Sequence, residues 1–229
     1  MLLGSEAMDR LAKSRVAVFG VGGVGGYVVE VLARSGVGAI DIVDNDRVCV
    51  TNINRQIIAL LSTIGRYKVD VAEERIHDIN SQCVVTKYQQ FYLPENADTI
   101  DLSQFDYVVD CVDTVTAKLE IIRRCKRLDV PLISSMGAAN KLDATAFRVA
   151  DIDKTAVDPL AKIIRKKLRK EGIAGVKVVY SEEEPIKPLY TTEATERPVP
   201  ASNAFVPAAA GLIIGGEVVK DLCHINNKK

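Results

Sequence analysis

Short runs of apolar and β-branched residues alternate with amphipathic stretches over the first 135 residues of the chain. These runs predict strands over residues 15–20, 39–43, 84–88, 107–110 and 131–135. Between them, apolar residues at helical spacing predict helices over residues 24–35, 67–79 and 114–128. Strands that alternate with helices predict an α/β fold, specifically a Rossmann-like, doubly wound and mostly parallel sheet.

The pattern changes after residue 138. Residues 146–150 and 176–180 predict two further strands, which we expect to extend the sheet as antiparallel strands. A strongly basic helix is predicted over residues 158–171, and an apolar core helix over residues 204–216. Prolines and a run of glutamates predict a crossover loop over residues 181–202. We therefore expect one domain over residues 1–229, with a nucleotide-binding core over 1–138 and a C-terminal extension over 139–229.

Composition and charge exclude several classes of function. The formal net charge is +0, so any contact with nucleic acid must come from a local patch of the surface. The five cysteines form no C-x-x-C pair, so no zinc site is expected, and they are interpreted as reduced, mostly buried thiols of a cytoplasmic protein. No apolar run is long enough to span a bilayer, so no membrane contact is expected.

A glycine-rich loop directly follows the first predicted strand and opens the first predicted helix. Its glycines are Gly20, Gly22, Gly23, Gly25 and Gly26. In that context the loop predicts a phosphate or nucleotide site, because its backbone amides can approach an anion closely. A packing loop without a ligand is the alternative, and the motif alone does not choose between NAD, FAD, S-adenosylmethionine and ATP.

An acidic residue and two cations follow the second predicted strand. Asp44 lies 19 residues after Gly25 (44 − 25), where a carboxylate can accept hydrogen bonds from the ribose hydroxyls. Arg55 offers a planar fork for phosphate oxygens, and Lys68 offers a compact positive charge. A strand-end turn for Asp44 and ordinary surface positions for the two cations are the alternatives.

A further carboxylate, Asp113, follows the fourth predicted strand and precedes Thr114. A carboxylate that faces a triphosphate suits Mg²⁺, which prefers one or two carboxylates together with phosphate oxygens. The alternative is that Asp113 caps the helix that begins near Val115. Both roles are compatible, because a carboxylate has two oxygens.

Together these residues resemble the ThiF/MoeB/HesA superfamily, the adenylating domains related to ubiquitin-activating enzymes. The resemblance covers residues 15–135 and implies a Rossmann-like fold, ATP with Mg²⁺, a homodimer and adenylation of a carboxylate. It implies that Arg55, Lys68 and Asp113 are catalytic, with Asp113 positioning the magnesium. The full set expected to bind the nucleotide is Gly20, Gly22, Gly23, Gly25, Asp44, Asn52, Arg55, Gln56, Lys68, Asp113 and Thr114.

The C-terminal part narrows the resemblance to one branch of that superfamily. Residues 158–160 with the basic helix, and residues 202–207, are similar to the branch that dehydrates threonylcarbamoyladenosine in tRNA. That branch implies an ATP-dependent cyclisation through carboxylate adenylation, with release of AMP and pyrophosphate. It also implies that tRNA is bound by Lys162, Arg165, Lys166, Lys167, Arg169 and Lys170. The alternative for these cations is the solvated face of an amphipathic helix.

Two other functions use parts of the same motif set. Adenylation of the C-terminal glycine of a ubiquitin-like sulfur-carrier protein would use every nucleotide-binding residue, but residues 181–202 contain no cysteine for a thioester or persulfide relay. A Rossmann module that binds NAD would explain the glycines and Asp44 but not Arg55, Lys68 or Asp113. The sequence leaves open a sulfur-relay protein as a partner and a monovalent cation as a cofactor.

Members of the superfamily place an arginine finger, which acts in the partner subunit's site, shortly before the segment that matches residues 2–6. The printed sequence begins at Met1, and neither Arg10 nor Arg15 matches the position of the finger. The expectation from sequence is either a truncated start or a weakened catalyst.

Overall fold

Seven strands form one sheet in the order β3-β2-β1-β4-β5-β7-β6 in the computed structural model, which describes residues 2–187 and 200–225. The strands are β1 (Arg15–Phe19), β2 (Ala39–Val43), β3 (Val84–Tyr88), β4 (Tyr107–Asp110), β5 (Leu132–Ser135), β6 (Phe147–Asp151) and β7 (Lys177–Ser181). The helices are α1 (Ser5–Lys13), α2 (Gly25–Arg34), α3 (Lys68–Ile79), α4 (Val115–Leu128), α5 (Pro159–Lys170) and α6 (Val206–Leu222).

The parallel strands end at one edge of the sheet. Phe19 at the end of β1 is in register with Val43 of β2 and Asp110 of β4, and Asp110 is in register with Ser134 of β5. The segments that follow these strands therefore begin side by side. Because β1 lies between β2 and β4, the chain order reverses there, and the crevice at such a reversal is where open α/β sheets bind ligands.

The C-terminal extension adds two strands to this sheet. β7 pairs with β5 in parallel and with β6 in antiparallel orientation. The predicted antiparallel pair is therefore present, and β7 also continues the parallel sheet. Division of the chain at residue 138 stays a prediction.

Two helical layers cover the sheet. Side chains alternate along β1, so that Val16 and Val18 pack with α1, α2, α3 and α6, while Ala17 and Phe19 pack with α4 and α5. The layer that contains α4 and α5 therefore lies on the face opposite α2. Among the described residues, none of these helices is long and apolar enough to cross a membrane.

Helix α6 packs on α2 through glycines that leave no room for a side chain. A Cβ atom added at Gly211 would lie 2.4 Å from the carbonyl oxygen of Val24, and one at Gly215 would lie 2.6 Å from Cβ of Val31. The helix extends to Leu222, six residues beyond the predicted end at 216. Helix α1, which sequence analysis did not predict, buries Ala7 and Leu11.

The predicted crossover loop overlaps the end of the sheet. Ser181 is the last residue of β7 and is buried, so the predicted start of the loop at 181 is corrected by one residue. Residues 182–187 and 200–202 form neither helix nor strand. The remainder of the prediction falls on residues 188–199, outside the described residues.

All five cysteines are free, as predicted. Cys83, Cys125 and Cys223 are buried, Cys111 is half-buried, and Cys49 is exposed. Burial raises the pKa of the Cys83 thiol to about 11. Hydrogen bonding by Thr51 lowers the pKa of Cys49.

Gly215→Ala is expected to lower the free energy of unfolding by about 1–3 kcal/mol, because the added methyl group forces α6 away from α2. Gly216→Ala is the matched control, since a Cβ atom there has no neighbour within 4 Å in the part of the chain that the structure describes. At that position alanine should stabilise the helix by about 0.4–1 kcal/mol, because it reduces the freedom of the unfolded chain. Urea unfolding of both variants measures the difference, and equal effects would contradict the proposed packing constraint.

Candidate functional site

The glycine loop turns from β1 into α2 at the chain reversal. Gly20 has φ +87°, a conformation that favours glycine, and a Cβ atom there would lie 2.9 Å from the carbonyl oxygen of Cys111. A Cβ atom at Gly25 would lie 1.7 Å from the carbonyl oxygen of Gly20. The loop is therefore held between α2 and the segment that follows β4.

The start of α2 presents backbone amides that are free to bind a ligand. Within residues 2–187 and 200–225, the amides of Gly22, Gly23 and Val24 donate to no other protein group. Helix N-termini of this kind bind anions through these amides and through the positive end of the helix dipole. The loop is consequently suited to a phosphate.

Asp44 lies beside the loop at the end of β2. Its Oδ2 accepts the amide of Val21 at 2.7 Å, and its Oδ1 accepts the amide of Asp46 at 2.9 Å. Each carboxylate oxygen has a second acceptor position, so both can still accept a ribose hydroxyl. Burial raises the pKa of Asp44 above its ordinary value, and the nearby Lys68 charge opposes this shift.

The two predicted cations lie near different parts of the site, Lys68 near Asp44 and Arg55 near the glycine loop. Lys68 is only 4% exposed, and its Nζ pairs with Oδ2 of Asp46 at 2.7 Å, which leaves two of its three protons for a ligand. Arg55 is half-buried, and its Nη1 donates to the carbonyl oxygen of Thr51 at 2.8 Å. Its Cγ lies 3.5 Å from the position of a Cβ atom at Gly23, so Arg55 lies over the glycine loop.

Gln56 provides an independent sign of a ligand. Its side chain is 7% exposed, and among the described residues its Oε1 has no hydrogen-bond partner. Its Nε2 lies 3.8 Å from the position of a Cβ atom at Gly22. A buried amide oxygen without a partner is costly, and a ligand group that donates a hydrogen bond, such as a hydroxyl or an amino group, would satisfy it.

Asn52 takes part in the local structure that presents Arg55. Its Oδ1 accepts the backbone amide of Cys49 at 3.0 Å, which stabilises the short 3₁₀ helix over Val50–Asn52. The neighbouring Asn54 donates from Nδ2 to the carbonyl oxygen of Ser202 at 2.9 Å. The segment that presents Arg55 is thereby connected to the segment before α6.

Asp113 is exposed one residue before Thr114, which is the N-cap residue of α4. Among the described residues, Thr114 makes no side-chain cap, and Asp113 accepts a hydrogen bond only from the Thr114 hydroxyl, at 3.4 Å. The sequence alternative that Asp113 caps this helix is therefore wrong, and its carboxylate is free for another partner. Within the described ranges no three His, Cys, Asp or Glu side chains converge as a metal site, so a Mg²⁺ ion at Asp113 would need phosphate oxygens and water as further ligands.

The basic helix α5 begins as predicted and carries two kinds of cation. Asp158 caps it by accepting the amide of Ala161 at 2.8 Å. Arg165 donates to the carbonyl oxygen of Thr155, and Arg169 pairs with Asp153 at 2.7 Å. The exposed cations that form no ion pair with another described residue are Lys162, Lys166, Lys167 and Lys170.

The spacing of apolar residues predicts that Leu160, Ile163, Ile164 and Leu168 form the apolar side of α5, and the structure differs at Ile163. Ala161, Ile164 and Leu168 are buried, whereas Ile163 is 45% exposed. These three residues belong to the core layer that includes α4, and the partly buried Leu160 packs against the same layer. Ile163 therefore lies on the same solvent side as the lysines.

A model of the ThiF family matches residues 1–229. The chain belongs to the ThiF family. It is 51% identical to tRNA threonylcarbamoyladenosine dehydratase of Bacillus subtilis (strain 168), over 97% of this chain and 92% of that protein. It is 40% identical to the dehydratase of Escherichia coli (strain K12), over 82% of this chain and 73% of that protein.

Solved structures extend the same similarity to three dimensions. The crystal structure of the E. coli dehydratase in complex with AMP has a TM-score of 0.89 at 35% identity, and the match covers 97% of this chain and 91% of that one. The structure of the same enzyme in complex with ATP has a TM-score of 0.87 over the same shares of the two chains. The predicted ThiF resemblance and the predicted fold class are confirmed.

Sequence analysis of this ThiF-family chain missed two buried ion pairs behind the site. Lys118 pairs with Asp110 at 2.7 Å, and Lys141 pairs with Asp158 at 2.9 Å. All four side chains are buried. Lysine on an amphipathic helix is usually exposed, so only the position of Asp110 at the end of an apolar strand could have indicated one of these pairs.

Asn140 joins both ends of the segment whose middle lies outside the described residues. It has φ +59°, and its carbonyl oxygen accepts the amide of Ile186 at 2.7 Å. Its Oδ1 accepts the amide of Ala201 at 2.7 Å, and its own amide donates to the carbonyl oxygen of Ala201. Ile186 and Ala201 are thus held at one point near the carboxyl edge of β5.

Asp44→Asn is expected to change how the stability of the ligand-free chain depends on pH. The pKa of Asp44 is higher in the folded state than in the unfolded state. The stabilisation that Asp44 contributes to the folded chain is therefore complete below the unfolded pKa, and it is lost as the pH rises through the folded pKa. The free energy of unfolding of Asp44→Asn, relative to the unsubstituted chain, should therefore increase between about pH 3 and about pH 7. Urea unfolding at both pH values measures this change.

Asp101→Asn is the control of opposite sign. Hydrogen bonds from Ser103 lower the pKa of Asp101, so its contribution is present above the unfolded pKa and is lost as the pH falls. The relative stability of Asp101→Asn should decrease over the same rise in pH. The prediction would be contradicted if the free energy of unfolding of Asp44→Asn, relative to the unsubstituted chain, stayed constant or decreased with pH as in Asp101→Asn. Either result would show that burial does not destabilise the ionised carboxylate of Asp44.

Proposed function

We propose that this chain is an ATP-dependent dehydratase that cyclises threonylcarbamoyladenosine in tRNA by adenylating its carboxylate. The observation that carries the proposal is the crevice described above, in a chain that matches a tRNA threonylcarbamoyladenosine dehydratase over 97% of its length. The crevice supplies the groups that adenylation needs: free amides, two cations and a carboxylate. Two further proposals, a tRNA surface and a homodimer, follow from other parts of the molecule.

The glycine loop and Asp44 fit the two ends of an adenosine phosphate. The amides of Gly22, Gly23 and Val24 suit the phosphate chain, and Nε2 of Gln56, which lies near Gly22, can donate a further hydrogen bond to it. Asp44, at the end of β2, suits the ribose hydroxyls. Arg55, which lies over the glycine loop, and Lys68, which lies near Asp44, add positive charge to this arrangement, and this charge favours a nucleoside triphosphate over NAD.

The carboxylate of the threonine moiety attacks the α-phosphorus of ATP, and the bond to the β-phosphate oxygen breaks. The products of this step are an acyl-adenylate and pyrophosphate. Negative charge accumulates on the phosphate oxygens during the displacement. Arg55 and Lys68 stabilise that charge, and their partial burial makes the interaction stronger than it would be in water.

Asp113 is the proposed ligand of Mg²⁺, and Thr114 lies beside it. When bound, the ion would neutralise charge on the phosphates and orient them for in-line displacement. Asp113 suits this ion because its carboxylate is exposed, does not cap α4 and lies at the carboxyl edge of β4.

Ring closure follows without a nucleophile from the protein. An atom of the neighbouring carbamoyl group attacks the activated carbonyl carbon, the bond from that carbon to the AMP oxygen breaks, and a proton leaves to solvent. The oxygen lost from the carboxylate departs with AMP, so the net change in the nucleoside is loss of water. Since the second nucleophile is tethered to the first, its effective concentration is high.

Helix α5 is the proposed tRNA surface. Its four exposed lysines lie outside the nucleotide crevice, and phosphate contacts dominate affinity for nucleic acid. Arg165 and Arg169 hold the adjacent loop through Thr155 and Asp153, so we assign them a secondary part in binding. The helix starts at Asp158 near the carboxyl edge of the sheet, so it leads from the crevice across the face of the molecule.

A homodimer in the cytoplasm completes the proposal. Exposed apolar side chains between β2 and α3 form a patch that is unfavourable in water and is typical of a protein–protein interface. They are Val50, Ile53, Leu60, Leu61 and Ile64. A second copy of the chain would bury this patch. The cytoplasmic location follows from the proposed tRNA substrate.

Lys68→Ala is expected to lower turnover on the order of a hundredfold, because it removes charge stabilisation at the phosphates. The assay incubates the protein with Mg²⁺, ATP and bulk tRNA, then measures the loss of water from threonylcarbamoyladenosine by mass spectrometry and the release of AMP. Arg55→Ala should behave in the same way. Arg66→Ala is the control, since Arg66 pairs with Glu74 on the surface and does not reach the crevice.

The same assay tests the function itself. No change of nucleoside mass with the unsubstituted protein would reject the dehydratase. AMP release that depends on a ubiquitin-like sulfur carrier, and not on tRNA, would establish the alternative substrate. Normal turnover in both Lys68→Ala and Arg55→Ala would reject the assigned roles.

Charge reversal on α5 should weaken tRNA binding and leave ATP binding unchanged. Lys166→Glu, Lys167→Glu and Lys170→Glu should each reduce the dependence of log affinity on log salt concentration by about 1, the loss of about one phosphate contact. Fluorescence anisotropy with labelled tRNA over a salt series measures this slope. Lys13→Glu changes the net charge equally on an exposed position of α1 and should leave the slope unchanged.

A further inference from the structure

Lys118 is completely buried beneath the turn that follows β4, although it belongs to no part of the proposed chemistry. It is 0% exposed. Its Nζ donates to Oδ2 of Asp110 at 2.7 Å, to the carbonyl oxygen of Ser135 at 2.8 Å and to Oγ of Ser134 at 3.2 Å. Three acceptors satisfy its three protons, so the ammonium is fixed in position.

Asp110 transmits this fixed position to the turn. Its Oδ2 also accepts the Ser134 hydroxyl at 2.5 Å, while its Oδ1 accepts the backbone amide of Val112 at 3.2 Å. One carboxylate therefore joins the end of β5, the helix α4 and the backbone of the residue directly before Asp113.

The turn itself is packed against the glycine loop. A Cβ atom at Gly20 would lie 3.2 Å from the amide nitrogen of Val112, and one at Gly25 would lie 3.3 Å from Cβ of Cys111. A shift of the turn would consequently move Asp113 relative to the phosphate-binding amides.

We infer that Lys118 and Asp110 are positioning residues, which set the turn so that Asp113 holds Mg²⁺ against the phosphates of ATP. The inference rests on the proposed function, in which Asp113 is the magnesium ligand. A buried ion pair is not needed for stability, because apolar side chains of similar volume often stabilise a core equally well. A pair that hydrogen-bonds the backbone next to a metal ligand supplies orientation, which an apolar pair cannot supply.

The chain contains a matched control. Lys141 and Asp158 form a second buried lysine–aspartate pair, at 2.9 Å, behind β5. Lys141 also donates to the carbonyl oxygen of Gly137, and Asp158 caps α5. This pair makes no hydrogen bond with the Cys111–Asp113 turn.

The test compares nucleotide affinity with and without magnesium, by isothermal titration calorimetry of the full chain with ATP plus Mg²⁺ and with ATP plus EDTA. The double substitution Asp110→Asn with Lys118→Met neutralises the pair without leaving an unpaired charge. We expect it to lower the affinity for ATP with Mg²⁺ by about tenfold or more, the usual effect of removing support from a metal ligand, and to leave the affinity in EDTA within about twofold. Lys141→Met with Asp158→Asn should change neither affinity by more than about twofold.

Asp113→Asn shows whether the pair acts through Asp113. If it does, adding the double substitution to Asp113→Asn should cause no further loss of magnesium-dependent affinity. A further loss of magnesium-dependent affinity in the combined variant would overturn the inference. So would an equal fall of the affinities with Mg²⁺ and with EDTA in the double variant, or no change in either. Thermal melting confirms that each variant is folded. If the double variant does not fold, Ser134→Ala replaces it in the test. This substitution removes one hydrogen bond from Asp110 and should cause a smaller loss of magnesium-dependent affinity.

The controls separate this inference from the proposed function. Failure of the unsubstituted chain to bind ATP, or an unchanged affinity in Asp113→Asn, would reject the proposed site. A magnesium-specific loss in Asp113→Asn that is absent when the pair is neutralised would reject only the positioning role.

Discussion

The contact between Gly20 and Gly25 is the constraint on which the rest of the structure depends. The two residues approach so closely that any side chain at Gly25 would overlap the carbonyl oxygen of Gly20. This contact draws the start of α2 onto the edge of the sheet, where its unused amides face the crevice. The neighbouring turn after β4 then packs against the same loop, and Asp113 arrives at the crevice with it.

The distribution of charge fits the two anionic ligands proposed for this neutral chain, ATP and tRNA. Lys118 and Lys141 are buried, and each is neutralised by an aspartate of its own. Lys68 is also buried, but its partner Asp46 is exposed, so this ammonium lies close to the surface of the crevice. The lysines on the outer side of α5 form no ion pair with any other described residue, and they leave that helix with a local positive surface. Lys118 and Lys141 thus lie inside the structure, Lys68 lies at the proposed nucleotide site, and the exposed lysines of α5 form the proposed tRNA surface.

Much of the fold could be predicted from sequence because local patterns and tertiary packing agree. The apolar run from Arg15 to Phe19 and the glycine loop after it specify a buried strand and its turn, and the order of such units predicts the sheet. The position of Asp44 followed from the same pattern. The α1 helix could not be predicted in this way, because its short amphipathic sequence is stable only when α6 covers Ala7 and Leu11.

The missing parts of the site are contacts between residues far apart in sequence. Lys118 lies in an ordinary helical pattern, and nothing local shows that Ser134 and Ser135 will surround its ammonium group. The pairing of Lys68 with Asp46 similarly depends on the return of the chain after β2. Residue types at strand ends therefore predicted the candidate site, whereas the supporting hydrogen bonds required the three-dimensional structure.

Asn140 has a consequence for redesign of the molecule. Because Asn140 hydrogen-bonds both Ile186 and Ala201, these two residues are held close together. The entropic penalty for a longer chain between them grows only with the logarithm of its length. Ile186 and Ala201 lie outside the paired residues of β5 and β7. We therefore expect that a foreign peptide inserted between them would leave the register of these strands unchanged, so that new binding sequences could be introduced there.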